Sequence, residues 1–164
     1  MKNINYTIGD ATQPEGKGVK FIIHVCNDMG IWGAGFVMAL SKKWKQPEKE
    51  YRLWVSEKFK KNATGMFKLG AVQFVNVKDD RIVVCNMIGQ HGVGIGSDGI
   101  PPIRYKAIDS ALETIATYAL KVNATVHCPR FGAGLAGGDW KEIEQLIIKN
   151  LCSRDIDVTV YDLK

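Results

Sequence analysis

Ala124-Thr-Val-His-Cys-Pro-Arg-Phe-Gly-Ala-Gly-Leu-Ala-Gly-Gly-Asp-Trp140 is the stretch that decides the fold. Its β-rich opening, Ala124 to Cys128, runs into a glycine-rich turn and then into a helical pattern that starts near Asp139. Strand, glycine loop and helix in that order make a cradle for phosphate. Glycine lets the backbone approach a ligand closely, and the free amides at a helix start carry partial positive charge. A second loop of the same kind, Asn27-Asp-Met-Gly-Ile-Trp-Gly-Ala-Gly-Phe36, follows the apolar run Lys20 to Cys26. Two such cradles in one small chain point to a ligand with two adjacent phosphates.

Working outward, periodicity predicts strands at Ile4–Ile8, Lys20–Cys26, Ala71–Val77, Arg81–Ile88, Ala124–Pro129 and Ile156–Tyr161. Helices are predicted at Ala34–Lys45, Glu48–Lys60, Ile103–Lys121 and Asp139–Leu151, with Pro47 separating the first two. Pro101 and Pro102 prime the third helix, Asn123 ends it, and Asp139 caps the fourth. Helices alternating with β-branched runs imply a three-layer α/β/α domain around a mixed sheet. Ligands of such sheets sit at the C-terminal ends of the strands, where both glycine loops fall. The segment Gly89 to Gly99 falls there too, and reads either as a mobile surface loop or as a cover for the ligand.

The chain has 164 residues, enough for a single domain spanning residues 1–164. Its 46% hydrophobic and 24% charged residues describe a globular protein. The start lacks the apolar core of a signal peptide, and no apolar run reaches the ~20 residues of a membrane span, so a cytoplasmic monomer without membrane contact is expected. Cys26, Cys85, Cys128 and Cys152 are widely spaced and read as reduced, small hydrophobes, with Cys128 also open to a reactive role beside its loop. The net charge of +5 gathers at Lys42, Lys43, Lys45, Lys58, Lys60 and Lys61, either a solvated face or a surface for polyanions.

Several chemistries lose support. No Gly-Lys-Ser or Gly-Lys-Thr follows the glycines, and Gly30 to Gly35 departs from G-x-G-x-x-G spacing, against triphosphate and hydride chemistry. His24, His91 and His127 have neither a helical partner four residues away nor a cysteine pair nearby, so no metal and no cofactor is expected.

With these loops in place the whole chain, from residue 4 to 161, resembles a macrodomain. The likeness rests on Gly9-Asp10, on His24 to Phe36, on Pro129 to Trp140 and on the closing Val158 to Leu163. Within that family it is similar to the small branch containing terminal ADP-ribose glycohydrolases and ADP-ribose-1″-phosphate phosphatases. The resemblance implies that Asp10 and Ala11 meet adenine, although Asp10 also reads as a turn aspartate. It implies that Asn27 meets a ribose diol and that Gly33, Ala34, Gly35 and Phe36 face the pyrophosphate. Arg130, Phe131, Gly132, Ala133, Gly134, Leu135 and Ala136 would do so from the other loop. Phe131, Phe36 and Trp140 fit core packing equally well.

The chain departs from the glycohydrolase pattern. Asn86 to His91 stands where that branch has a lysine, and Ala136 where it has an aspartate, so a lysine adduct is not expected. The remaining candidates for chemistry are Asp28 and His91 as bases and His24 as a donor, set against an Asx-turn role for Asp28 and a core role for His24. The expected activity is hydrolysis of a group at the 1″ position of ADP-ribose or of ADP-ribosylated protein or nucleic acid. The alternative is a non-catalytic reader of ADP-ribose. Hydrolysis is preferred because a domain standing alone has little to do with a mark except alter it.

Overall fold

The computed structural model describes residues 2–56, 62–95 and 99–164. Its elements run β1 Asn5–Ile8, β2 Lys20–Asn27, α1 Phe36–Lys43, α2 Gln46–Val55, β3 Val72–Lys78, β4 Ile82–Gln90, α3 Tyr105–Val122, β5 Thr125–Cys128, α4 Trp140–Asn150 and β6 Val158–Asp162. The six strands form one sheet in the order β1-β6-β5-β2-β4-β3. All neighbours are parallel except β3 and β4, which pair antiparallel through the turn at Asp79 and Asp80, both at positive φ (46° and 60°).

Both faces of the sheet are covered, and β2 shows how. Phe21 and Ile23 pack with Ile108, Leu112 and Ile115 of α3 and with Ile143 and Ile147 of α4. Ile22 and Cys26 point the other way, toward Leu40 of α1 and Tyr51 and Trp54 of α2. This alternation is the period of a strand, and a strand buried on both sides reads as a continuous apolar run. The expected three-layer arrangement with a mixed sheet is therefore present.

The helices end where local chemistry stops them. Asn123 takes the left-handed conformation (φ 54°, ψ 45°) that closes α3. The Asp139 carboxylate accepts from the Lys141 amide and opens α4. Pro47 does not separate α1 from α2; it lies in the first turn of α2, where a missing amide hydrogen costs nothing. The third helix starts at Tyr105, because Ile103 bridges Gln90 and the Arg104 backbone is extended. A short 3-10 turn at Cys152–Arg154, absent from the sequence reading, leads into β6. The expected end of the second helix beyond Ser56, with Lys58, Lys60 and Lys61, lies outside the described residues, as do residues 96–98 of the Gly89 to Gly99 segment.

The topology places the site. From β2 the chain leaves through α1 and α2 toward β3 and β4, whereas from β5 it leaves through α4 toward β6 on the other side. Since β2 and β5 are parallel neighbours, their C-terminal ends part to open a crevice at a topological switch point. No helix among the described residues is long and apolar enough to cross a membrane.

Asp139→Ala removes the cap of α4 and should lower the free energy of unfolding by about 1 kcal/mol, read from the midpoint of a urea transition.

Candidate functional site

The crevice holds two adjoining cavities. One, of about 470 Å³, is walled by the loop after β1, the start of α1 and the Pro129–Ala136 loop, with Tyr161 of β6. The other, of about 330 Å³, continues past Asn27, Ile31, Trp32 and Gly33 to Val93. Val25, Ala34, Val37, Gln90 and Leu135 belong to both walls, so one elongated cleft runs across the ends of β2 and β5.

The first loop is shaped at the end of β2. There the register with β4 slips between Cys26 and Asn27, and the strand turns away. The Asn27 Oδ1 accepts from the amides of Met29 and Ile31 and from the Tyr51 hydroxyl, while Nδ2 donates to the Ile31 carbonyl at 2.6 Å. The single Tyr51 hydroxyl hydrogen is shared with the Asn27 backbone carbonyl, 2.7 Å away. The Asn27 side-chain carbonyl oxygen thus braces the loop, while the residue stands in the wall of the smaller cavity. The brace delivers Gly35 in a positive-φ conformation (φ 80°) to the start of α1, which no side chain caps. The first amides of α1 accordingly face the cleft without a partner from a capping group, the arrangement that attracts anions.

The second loop closes against the core. Gly132 takes φ 76°, and a Cβ there would meet Ile103 Cδ1 at 2.7 Å. At Gly138 a Cβ would lie 2.5 Å from the Gly132 carbonyl oxygen. These two glycines serve packing within the loop, whereas a Cβ at Gly134 would meet no atom within 4 Å. Gly134 and Leu135 form the open lip, Leu135 with 74% of its surface exposed. Ala136 is on the cavity wall, but Ala133 lines neither cavity.

Other residues expected to touch the ligand are already engaged. The Arg130 guanidinium makes a two-point ion pair with Asp162 (2.6 and 3.0 Å) and stacks over the rings of Tyr6 and Trp140. It borders the cavity as a clamp between β6 and α4, and holds the Asp162 carboxyl below its usual pKa range through that hydrogen bond. Phe131, buried and edge-on to Trp140, and Phe36, 5.8 Å from the His24 ring, both stand on the wall of the larger cavity. Asp10 Oδ1 holds a turn by accepting from the Thr12 amide and hydroxyl, and the residue also lines the cavity beside Ala11.

The three candidates for chemistry separate. Asp28 Oδ1 accepts from the Gly92 amide and Oδ2 lies 2.7 Å from His91 Nδ1. A carboxylate only accepts, so in this pair His91 Nδ1 donates and Nε2 of a neutral ring carries the lone pair. The two residues stand at the rim, beside Asn27 and Gln90, and line neither cavity. His24 does line the larger cavity, but it is not the donor expected. Its Nε2 is 2.6 Å from Asn86 Oδ1, and burial lowers its pKa to about 4, so its one hydrogen is committed to Asn86. Cys128 is buried and its thiol is pushed far up by that burial, which removes the reactive role left open for it.

Sequence reasoning missed Gln90, Tyr161, Tyr51, Asn86 and Gln73. Each lies in a strand or helix where it reads as ordinary alternation, and only the fold sets Gln90 and Tyr161 on the cleft wall and Tyr51, Asn86 and Gln73 behind it. The expected polyanion face is partly spent, since Lys43 donates to the Thr12 carbonyl and lies over Trp44. Among the described residues no group of three His, Cys, Asp or Glu side chains is placed to hold a metal ion.

A three-layer domain with amide-rich loops facing each other across a switch-point cleft defines a class of phosphate-ligand-binding folds. The particular family follows from comparison: the chain is 50% identical to a macrodomain protein from Streptomyces coelicolor, with TM-score 0.83 over 98% of this chain and 99% of that one. It belongs to the macrodomain family. A protein of unknown function from Bacteroides thetaiotaomicron is similar at 53% identity and TM-score 0.92, over 98% of each chain. Among curated relatives, the chromodomain-helicase-DNA-binding protein 1-like of Danio rerio is 30% identical over 96% of this chain, which spans only 15% of that protein's length. The ADP-ribose 1''-phosphate phosphatase of Saccharomyces cerevisiae is 25% identical, over 99% of this chain and all of that protein. No family model matches the chain.

Tyr51→Phe deletes the hydroxyl that braces Asn27, and should cost about 1 kcal/mol of stability. Hydrogen exchange should quicken at the amides of Met29 and Ile31, which depend on the same Asn27 oxygen, while α4 amides keep their protection.

Proposed function

We propose that this macrodomain binds ADP-ribose in the elongated cleft and hydrolyses a group attached at its 1″ position. The observation that carries the reading is the pairing of an uncapped helix start at Gly35 with the open Gly134 lip across one cavity that continues toward the Asp28–His91 pair. Amides on both sides suit a pyrophosphate, Asp10 and Ala11 suit adenine at one end, and the smaller cavity suits the second ribose. Similarity to the yeast phosphatase over the full chain supports the 1″ position.

For chemistry, His91 Nε2 is the base. It takes a proton as a water oxygen bonds to the phosphorus or to the 1″ carbon, and the displaced oxygen leaves with its electron pair. Asp28 holds the ring in the tautomer that leaves Nε2 free. Loop amides steady the negative charge that develops. Ala136 and the lysine-free run from Asn86 to Ile103 argue against a lysine-linked intermediate. A second reading, a reader that binds without turnover, is favoured by the rim position of Asp28 and His91 outside both cavity walls.

Calorimetry with ADP-ribose and thermal unfolding test the binding. At ligand ~100-fold above its dissociation constant the fold should gain about 2.7 kcal/mol, and the absence of any shift would end the proposal. Incubation with ADP-ribose-1″-phosphate, ADP-ribosylated protein and ADP-ribosylated DNA then separates hydrolase from reader. The reader prevails if none of the three is turned over.

Gly134→Val projects into open space, so the variant should fold with little change in Tm yet bind ADP-ribose at least ~10-fold more weakly, about 1.4 kcal/mol. Asp10→Ala should cost less, since a single hydrogen bond contributes about 0.5–1.5 kcal/mol. Comparable small losses in both folded variants would show that the lip does not face phosphate.

Asp28→Ala and His91→Ala should each lower kcat while ADP-ribose affinity stays within a few fold, the pattern of groups that act in the transition state. Borohydride should trap no adduct. Unchanged turnover in both variants would remove these residues from the mechanism.

A further inference from the structure

Among the described residues one buried side-chain nitrogen or oxygen has no hydrogen-bond partner in the protein, and it is His24 Nδ1. The other buried histidine shows what satisfaction looks like. His127 engages the Tyr161 hydroxyl through Nδ1 at 2.8 Å and the Thr125 hydroxyl through Nε2 at 2.7 Å. Buried polar atoms are nearly always paired, because an unmet one costs about 1–3 kcal/mol, so an exception on a residue that lines a ligand cavity points to a partner that arrives with the ligand.

The state of that nitrogen is set from behind. Gln73 Nε2 donates to the Glu50 carbonyl, which turns Gln73 Oε1 toward Asn86. Asn86 Nδ2 donates to that oxygen at 3.1 Å and to the Pro47 carbonyl at 3.2 Å, and this leaves Asn86 Oδ1 facing His24 Nε2 at 2.6 Å. Backbone carbonyls of α2 only accept, so every amide in the relay has a single workable orientation. The hydrogen of a neutral His24 ring must then sit on Nε2, and Nδ1 must hold a lone pair. Gln73, His24 and Asn86 are all at most 1% exposed, which keeps water from loosening the relay. The trend of the ring's titration agrees, since burial holds it neutral at pH 7.

We infer that His24 is a fixed hydrogen-bond acceptor in the wall of the cleft, one that selects a ligand presenting an uncharged O–H or N–H to Nδ1 and disfavours a phosphate oxygen there. The inference rests on the ADP-ribose reading and adds a polarity to it: the anionic part of the ligand belongs at the amide-bearing loops, and a hydroxyl or amine hydrogen belongs at His24. Asn86 and Gln73 are positioning residues, acting only through the ring.

Long-range proton–nitrogen correlation spectra of the full chain labelled with nitrogen-15 histidine test this without any variant. In the free protein at pH 7, His24 should show the Nε2–H tautomer with an unprotonated Nδ1. Saturating ADP-ribose should move the Nδ1 resonance upfield, as accepting a hydrogen bond does, and leave Nε2 almost in place. Inorganic pyrophosphate should not protonate the ring. An Nδ1–H tautomer in the free protein, a ring that becomes protonated on binding, or an Nδ1 resonance unmoved at saturation would each overturn the inference. If calorimetry shows no ADP-ribose binding, the ADP-ribose reading falls and this assignment with it; if ADP-ribose binds and Nδ1 stays unmoved, only this assignment falls.

Two variants add an affinity readout. His24→Phe keeps the ring without the acceptor and should weaken ADP-ribose about 10-fold, the equivalent of ~1.4 kcal/mol. His24→Asn places an amide oxygen near the position of Nδ1 and should recover most of that loss. Asn86→Leu should leave His24 in a mixture of tautomers, a spectral change that a purely structural role would not produce.

Discussion

β2 is sealed on both faces, so the polar groups it carries, His24 Nδ1 apart, have to find their partners inside the protein, and the rest of the site is built around those partners. Three demands arise in succession along the strand. Ile22 and Ile23 only need apolar neighbours, which α1 and α3 provide. His24 needs an acceptor for its hydrogen, which is why β4 carries Asn86 and β3 carries Gln73 in register beside it. Asn27, at the slip in register, needs donors, and the Tyr51 hydroxyl on α2 meets that need together with the loop's own amides. An unpaired amide or imidazole at this depth would cost as much as a core cavity, so α2 and β3 are fixed relative to β2 by polar chemistry as well as by packing.

This division of labour separates the two cradles. The first loop is held from below by Asn27 and Tyr51, and its ligand-facing side is backbone at an uncapped helix start. The second is held by contact: Gly132 and Gly138 touch, Ile103 and Ile143 fill the space beneath, and the Arg130–Asp162 pair pins its entry to β6. Neither loop depends on a ligand for its shape. Binding to a preshaped cleft loses less conformational entropy than binding that must order a loop, which favours a small polar ligand.

The alternation of β-branched runs with helices made the layers legible in the sequence, and the glycine loops after Cys26 and Cys128 placed the cleft. Asp139 and Asn123 were readable because capping is local chemistry. Residues whose meaning depends on register were not. Gln73 and Asn86 read as polar interruptions in apolar strands, and only the antiparallel pairing of β3 with β4 shows that they form a relay to His24. The ion pair of Arg130 was hidden for a related reason: its partner, Asp162, lies 32 residues away on another strand. Ile103 was assigned to a helix because its apolar period continues that of α3, while its backbone is spent on bridging Gln90.

The contact between Gly132 and Gly138 also limits how this cleft can diverge. A side chain at either position would strike backbone or core, so changes there are removed by misfolding before any effect on ligand choice can be expressed. Gly134 and Leu135, four residues or fewer from both, open onto solvent and can vary at little cost to the fold. New ligand preferences in a lineage built on this loop would therefore accumulate at its lip, with the hinge glycines silent in every descendant that still folds.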